Sequence, residues 1–291
     1  MNYISVSEMA EKWGLSERTV RNYCAGGRIA GAKLIGKIWH IPENALRPKT
    51  KKPDTLLDVL KREKMSKTSG GIYHKIQIEL TFNSNHMEGS RLTHDQTRYI
   101  YETNTIGLTN EAVNVDDIVE TANHFKCIDM IIDNAGHKLS ESFIKSLHRT
   151  LKNGTADSRT DWFNVGEYKK LPNEVGGMET VPPEAVADEM KKLLNKYNTD
   201  GKKTLEEIID FHVAFEKIHA FQDGNGRIGR LIMFKECLKN NIVPFIISDE
   251  MKFFYYRGIS EWDREKGFLT DTCLAAQDKF KTYLDYFQIK Y

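Results

Sequence analysis

Between His219 and Arg230 the chain reads HAFQDGNGRIGR, which sets an imidazole, a carboxylate, a Gly-Asn-Gly turn and two guanidinium groups in a fixed order. An unperturbed imidazole titrates near neutrality, so His219 could accept a proton from an attacking hydroxyl. Gly224 and Gly226 remove side chains where the backbone must approach something closely. The backbone N–H groups of Gly224, Asn225 and Gly226, at a helix N-terminus, form a pocket for an anion. Arg227 and Arg230 are three apart, hence on one helical face. Two guanidinium groups beside such a pocket suit a polyphosphate better than a carboxylate. Asp223 at its lip would repel a bare phosphate, unless a divalent cation bridges the two; Mg²⁺ needs few carboxylates and takes the rest of its ligands from phosphate and water. Base, metal acid, anion nest and paired arginines together suit transfer chemistry at a nucleotide phosphate.

Those residues need two helices to hold them, one running up to Lys217 and one beginning near Asn225. Helical periodicity dominates everything after a basic, proline-containing linker, RPKTKKPD at 47–54. Helices are expected at about 55–65, 71–88, 93–105, 115–134, 140–151, 183–198, 204–218, 225–240 and 268–287. The Gly- and Pro-rich stretch between Trp162 and Pro183 is too irregular for a helix and reads as a short hairpin or flap around Val175-Gly176-Gly177. LHRTLKNG, Leu147 to Gly154, reads as a buried helix and its stop.

The first 53 residues differ from the rest. They hold ten Lys/Arg against four Asp/Glu, a charge of +6 in a chain whose net charge is +1. Ser7 is expected to cap a helix over 8–13 that Gly14 ends, and Ser16 a second helix over 17–24 that Gly26-Gly27 breaks. AKLIGKIWHIP then reads as a hairpin. Two short helices and a basic hairpin make a winged helix-turn-helix pattern, similar to excisionase and MerR-type DNA-binding domains. Arg18, Thr19 and Arg21, with Ser16 and Glu17, lie near the exposed start of the second helix, the part that would enter the major groove. Lys33, Lys37 and His40 would meet phosphates from the wing. The alternative is a helical hairpin for protein contacts.

The expected organisation is therefore a winged helix-turn-helix domain at 1–52 and a mainly α domain at 53–291 with a small β-hairpin flap. Cys24, Cys127, Cys237 and Cys273 are scattered without a CxxC pair, which suits a reducing compartment and packing as small apolar groups. MNYISVSEMAEKWG has no basic region followed by an apolar run, and no window is apolar enough for a membrane helix. The expectation is a cytoplasmic protein without a membrane partner; the composition admits a homodimer.

HAFQDGNGRIGR resembles the signature of the Fic (Fic/Doc) family, His-Pro-Phe-x-Asp/Glu-Gly-Asn-Gly-Arg-x-x-Arg. Ala220 stands where the family usually has proline, a change that removes no chemical group. The likeness extends loosely over about 55–285. It implies transfer of AMP from ATP to a Ser, Thr or Tyr hydroxyl of a protein, itself included. His219 would be the general base, Asp223 the Mg²⁺ ligand, and Gly224, Asn225 and Gly226 the anion hole. Arg227 would stabilise the phosphates and Arg230 bind the γ-phosphate. The flap, with Leu171, Pro172 and Val175, would register the target's backbone by strand addition. Gly166-Glu167-Tyr168-Lys169 stands where relatives often have Gly-x-Tyr-Arg, which keeps the charge but not the guanidinium fork. Tyr255 and Tyr256, in KFFYYRG, either line the adenine pocket or are core aromatics.

A second motif bears on the first. TFNSNHMEGSRLT contains Ser84-x-x-x-Glu88-Gly89, by itself a helix end with Gly89 as its stop. It resembles the family's inhibitory motif, Ser/Thr-x-x-x-Glu-Gly/Asn, which places an inhibitory helix near 71–89. Glu88 would then occupy Arg230 in place of the γ-phosphate, because one guanidinium cannot serve both anions at once. Relatives with this glutamate are also implied to remove AMP.

Three rival readings stand beside this one. His212, Glu216 and His219 share a helical face and would suit a zinc hydrolase, although the spacing is not HExxH. The Doc branch transfers the γ-phosphate instead, but typically has lysine where this chain has Gly226. An ATP-sensing DNA-binding regulator would not need His219.

Overall fold

The structure is a computed structural model and describes residues 2–49, 54–107, 112–175 and 178–291. Residues 50–53, where the expected domain boundary falls, and Gly176-Gly177, the expected centre of the flap, lie outside the described residues. The chain divides into two compact units, Met1–Pro53 and Asp54–Tyr291.

In the first unit, α1 (Val6–Trp13) and α2 (Glu17–Ala25) pack on a three-stranded antiparallel sheet of β1 (Tyr3–Ile4), β2 (Lys33–Ile35) and β3 (Ile38–Pro42), in the order β1-β3-β2. Lys33 pairs with His40 and Ile35 with Ile38, so Gly36-Lys37 is the two-residue turn of the wing. The cap of α1 is Ser5 rather than Ser7. Ser5 accepts from the Glu8 backbone, and the Glu8 side chain returns to the Ser5 backbone, a reciprocal pair that Ser7, with Ala10 three residues on, lacks. Gly14, at φ 63°, ends α1, and Ser16 caps α2 through the Thr19 N–H. Met9, Val20 and Ile41 are fully enclosed. Leu34, Ile35 and Ile38 are exposed, so the wing's apolar residues are not its core.

The second unit is helical: α3 (Leu56–Ser66), α4 (Ile72–Met87), α5 (His94–Thr103), α6 (Val115–Asp133), α7 (Glu141–Lys152), α8 (Pro183–Tyr197), α9 (Leu205–Ile218), α10 (Asn225–Asn240), α11 (Lys252–Ser260) and α12 (Gly267–Tyr286). The flap is an antiparallel hairpin of β4 (Glu174–Val175) and β5 (Met178–Glu179). Periodicity located every helix of this unit except α11. That helix follows a 3₁₀ turn at Asp249–Met251 and has no side-chain cap, so its start carries no sequence signal.

α10 is the axis of this unit, with fourteen of its sixteen residues buried. A helix enclosed on all sides is normally apolar, yet α10 carries Arg227, Arg230, Lys235 and Glu236 into the interior. Each of these must find a partner. Lys235 and Glu236 pair with one another at 2.7 Å, and Glu236 also accepts from the Tyr197 hydroxyl at 3.0 Å. Apolar residues of α3, α4, α6, α7, α8, α9 and α12 close around the helix. All four cysteines are free and buried. Among the described residues, no helix is long and apolar enough to cross a membrane.

Candidate active site

The link between α9 and α10 holds the motif. α9 ends at His219, which takes a left-handed conformation (φ 48°) and bonds its backbone N–H to Phe215 O at 3.0 Å. Such a conformation is unfavourable for a side-chain-bearing residue and turns the imidazole away from the helix face it would otherwise share with His212. The turn is closed by Asn225. Its Oδ1 accepts from Phe221 N and its Nδ2 donates to Phe221 O, both at 2.8 Å. The Asn225 side chain is thus a clamp on the turn, which leaves the anion pocket to backbone groups. Gly224 (φ 83°) is the N-cap of α10 and supplies no side-chain cap, so the first N–H groups of the helix face the turn without a side-chain acceptor. A Cβ there would be strained in φ and 3.4 Å from Leu151.

Two residues outside the motif brace this turn. His148, on α7, lies flat on Phe221, with ring centroids 4.0 Å apart and planes 5° apart. Its Nδ1 accepts from Gly166 N at 2.9 Å, which leaves the proton on Nε2, and Nε2 donates to Asp223 O at 3.1 Å. Burial depresses its pKa to about 3 and keeps it neutral. Lys169, behind the flap, donates its N–H to Ala220 O at 2.9 Å, and its Nζ to Asn173 Oδ1 at 2.6 Å and Thr180 Oγ1 at 2.5 Å. The lysine that replaces the expected arginine therefore ties flap to turn. Burial lowers its pKa to about 8. His219 lies among these charges. Burial first, then the Lys169 ammonium, push its pKa down, while Glu88 and Asp223 oppose.

The two arginines meet different partners. Arg227 NH1 donates to Glu120 Oε2 of α6 and NH2 to Asp223 Oδ2 at 3.2 Å. Lys152, from α7, bonds the other Glu120 oxygen and the same Asp223 Oδ2, the latter at 2.6 Å. Arg230 donates from Nε to Ser84 Oγ at 3.0 Å, and from NH2 to Ser84 O at 2.9 Å and Glu88 Oε1 at 2.6 Å. Glu88 is the C-cap of α4, and Gly89 follows at φ 96°. A Cβ on residue 226 would collide with Glu88 Oε1 and come within 2.9 Å of Arg230 NH1, so Gly226 leaves the room that Glu88 fills.

Other sequence candidates fall elsewhere. Of the two readings of Tyr255, its burial fits the core aromatic: it is fully buried, and its hydroxyl lies 2.6 Å from His212 Nε2. Tyr256 stays partly open, and its phenol feels the charges of Glu88 and Arg230. His212 turns Nε2 to the Tyr255 hydroxyl and Nδ1 to within 3.9 Å of Glu216 Oε1, but no group of three metal-ligating side chains is present among the described residues. Leu171, Pro172 and Val175 are exposed on the flap, and Leu171 N donates to Gln222 Oε1 at 3.3 Å. In the first unit, Arg18, Lys33 and Lys37 are exposed; Arg21 pairs with Glu17 at 2.6 Å, and Thr19 is bound to the Ser16 cap. Glu120, His148 and Lys152 were not found from the sequence. They lie on α6 and α7, far along the chain, and no spacing signal joins them to the motif.

The chemistry of Asp223 fits a divalent cation. Burial raises its pKa, but Arg227 and Lys152 lower it more, so the carboxyl is held well below the usual range and stays ionised. Its Oδ1 carries no side-chain hydrogen bond among the described residues.

The Fic/DOC family pattern matches residues 138–237, and a helix-turn-helix domain pattern matches residues 3–47. The chain is 25% identical over 197 residues to protein adenylyltransferase fic-1 of Caenorhabditis briggsae, covering 65% of this chain and 35% of that one. It is 28% identical over 205 residues to protein adenylyltransferase Fic of Drosophila mojavensis, covering 68% and 37%. It thus spans little more than a third of the length of these curated relatives. Among solved structures, a Fic-domain-containing signaling protein from Bacteroides thetaiotaomicron superposes with a TM-score of 0.59 at 29% identity, covering 79% of this chain and 90% of that one. Fic-1 from C. elegans shares the fold, with a TM-score of 0.63 at 17% identity over 80% of this chain and 71% of that one. The chain therefore carries a Fic/DOC family domain behind an N-terminal helix-turn-helix domain.

Proposed function

We propose that the protein transfers AMP from ATP to a hydroxyl of a protein, itself included, and that it is held in check by Glu88. One arrangement carries the reading: an uncapped helix N-terminus with His219 before it, Asp223 at its lip and Arg230 within the same helix. His219 is the base. Its lowered pKa keeps the imidazole neutral through physiological pH, ready to take the hydroxyl proton. The backbone N–H groups of Gly224, Asn225 and Gly226 receive the phosphate that is attacked. Arg227 and Arg230 bind the remaining phosphate charge. Asp223 would hold Mg²⁺, which supplies charge neutralisation on the phosphates. Glu88 occupies Arg230, so ATP meets a guanidinium already committed to a carboxylate. Lysine at position 226, as in the phosphate-transferring branch, would clash with Glu88, so Gly226 and Glu88 belong to one design. The exposed flap edge suits a target segment added as a strand.

The helix-turn-helix unit is read as a DNA-binding module, because Arg18, Lys33 and Lys37 offer cations on its exposed recognition helix and wing. Retarded mobility of duplex DNA with the full chain, lost on raising salt, is the expected result.

The experiment is labelling with α-³²P-ATP and Mg²⁺ of wild type, Glu88→Gly and Glu88→Gly/His219→Ala. Label that rises in the single variant and vanishes in the double supports base, brake and AMP transfer together. Label from γ-³²P-ATP and none from α-³²P-ATP would overturn the reading in favour of phosphoryl transfer.

A further inference from the structure

Glu120, Lys152, Asp223 and Arg227 form a closed ring of alternating charge. Lys152 Nζ bridges Glu120 Oε1 and Asp223 Oδ2; Arg227 bridges Glu120 Oε2 and the same Asp223 Oδ2. The side chains of Lys152 and Arg227 are each 4% exposed, while that of Asp223 is 44% exposed. Two cations therefore crowd one oxygen of Asp223, the more exposed of the ring's two carboxylates. A buried ring with equal positive and negative charge tolerates the loss of one contact only if no ion is left alone.

Lys152 meets that condition when it lets go of Asp223, because Glu120 still holds it. It is also a compact ammonium on a flexible stem, able to retreat by a small rotation, whereas Arg227 holds the two carboxylates with separate nitrogens of one rigid planar fork. We propose that Lys152 is the stand-in counter-cation of Asp223, orienting the carboxylate until a divalent cation takes its place, with Glu120 as the anchor that keeps Lys152 in the site through the exchange. Lys152 and Glu120 are then positioning residues that set how readily the metal loads. The inference rests on the reading of Asp223 as the metal ligand.

The test is Mn²⁺ binding in the presence of ATP, followed by electron paramagnetic resonance of free Mn²⁺, alongside calorimetry of ATP without metal. Lys152→Met makes the ring net negative. Its Mn²⁺ half-saturation should fall about tenfold and its metal-free ATP binding should weaken, as expected for removing one nearby charge of a partly screened pair. Glu120→Gln makes the ring net positive and should shift both quantities the opposite way. Lys152→Arg keeps the charge and should stay within about twofold of wild type. Opposite shifts cannot come from loss of fold, which would weaken both ligands together; if Lys152→Met does not fold, Glu120→Gln alone decides. Shifts of the same sign, or none, while Asp223→Asn loses Mn²⁺, would overturn the exchange and leave Asp223 as the ligand. An Asp223→Asn protein that binds Mn²⁺ as wild type does would remove both.

Discussion

Arg227 and Arg230 sit three residues apart on α10, equally buried, yet in unlike surroundings. Arg227 belongs to a ring of four charges drawn from α6, α7, the turn and α10. Arg230 has one carboxylate, Glu88, placed at the end of a helix and followed by a glycine in the left-handed region. Removing any member of the ring leaves each remaining ion one partner but the buried ring with a net charge, and the ring resists that. Removing Glu88 strands only Arg230, the group that a phosphate would then satisfy. On the proposed function, the contrast is between a carboxylate that holds the architecture and one that a phosphate would displace.

The hardest test of the turn that both arginines share is His219→Ala. It should lower AMP transfer by roughly 10²- to 10⁴-fold, the usual worth of a general base, with unchanged thermal stability. Comparable label in this variant would break the functional reading at its centre.

Glu120→Gln addresses the ring. Stability should fall by about 3 kcal/mol, and the midpoint of thermal unfolding by roughly 6–12 °C for a unit of this size. Auto-modification should not rise. If Glu120→Gln is as stable as wild type but hyperactive, the two carboxylates have been assigned the wrong way round.

Acid separates the ring from its neutral surroundings. Burial drives His124, His148 and His212 down to about 3 in the fold, while the unfolded groups titrate near 6.5. The unfolded chain therefore binds more protons below pH 6.5, and these histidines make stability fall as pH falls, by roughly 1.4 kcal/mol per unit each. Glu216, which burial raises to about 8, runs the other way: its folded form binds the extra proton between about 8 and 4.5. The net expectation between about pH 6 and 5 is a loss of roughly 2–3 kcal/mol per unit. Asp223, held well below the usual carboxylate range by Arg227 and Lys152, stays ionised over this window and does not contribute to the loss.

Glu88→Gly is the smallest perturbation of structure and the sharpest of function. It removes one charge-assisted bond to Arg230, worth about 1.5–3 kcal/mol, and auto-modification should rise tenfold or more. Its unfolding midpoint should move no further than that of Glu120→Gln. Equal labelling of wild type and variant would dissolve the contrast between the two arginines.

Much of this was legible in the sequence where the signal is local. Helix spans followed from apolar spacing, and the wing followed from a glycine turn between apolar runs. The motif from His219 to Arg230 named its own chemistry because its groups lie within a few turns of one another. Ser84 and Glu88 were legible as a pair through their resemblance to the Fic inhibitory motif, and in the structure both bond Arg230. Boundaries were less legible: the Ser5 cap depends on a reciprocal bond with Glu8, and α11 begins without any cap.

By itself the sequence determined the order of helices and marked the proposed anion nest with its base and acid, through periods and spacings that operate over a few residues; the candidate brake came from the resemblance of Ser84-x-x-x-Glu88-Gly89 to the Fic inhibitory motif. Only the tertiary structure decided how those groups are supported. It put Tyr255 in the core against His212, and it turned Asn225 inward as a clamp. It brought Glu120, His148 and Lys152 from distant helices onto the motif. The physical reason is that α10 is enclosed on every side. Its buried charges must be matched by whatever helices pack around it, and chain spacing carries no record of which those are.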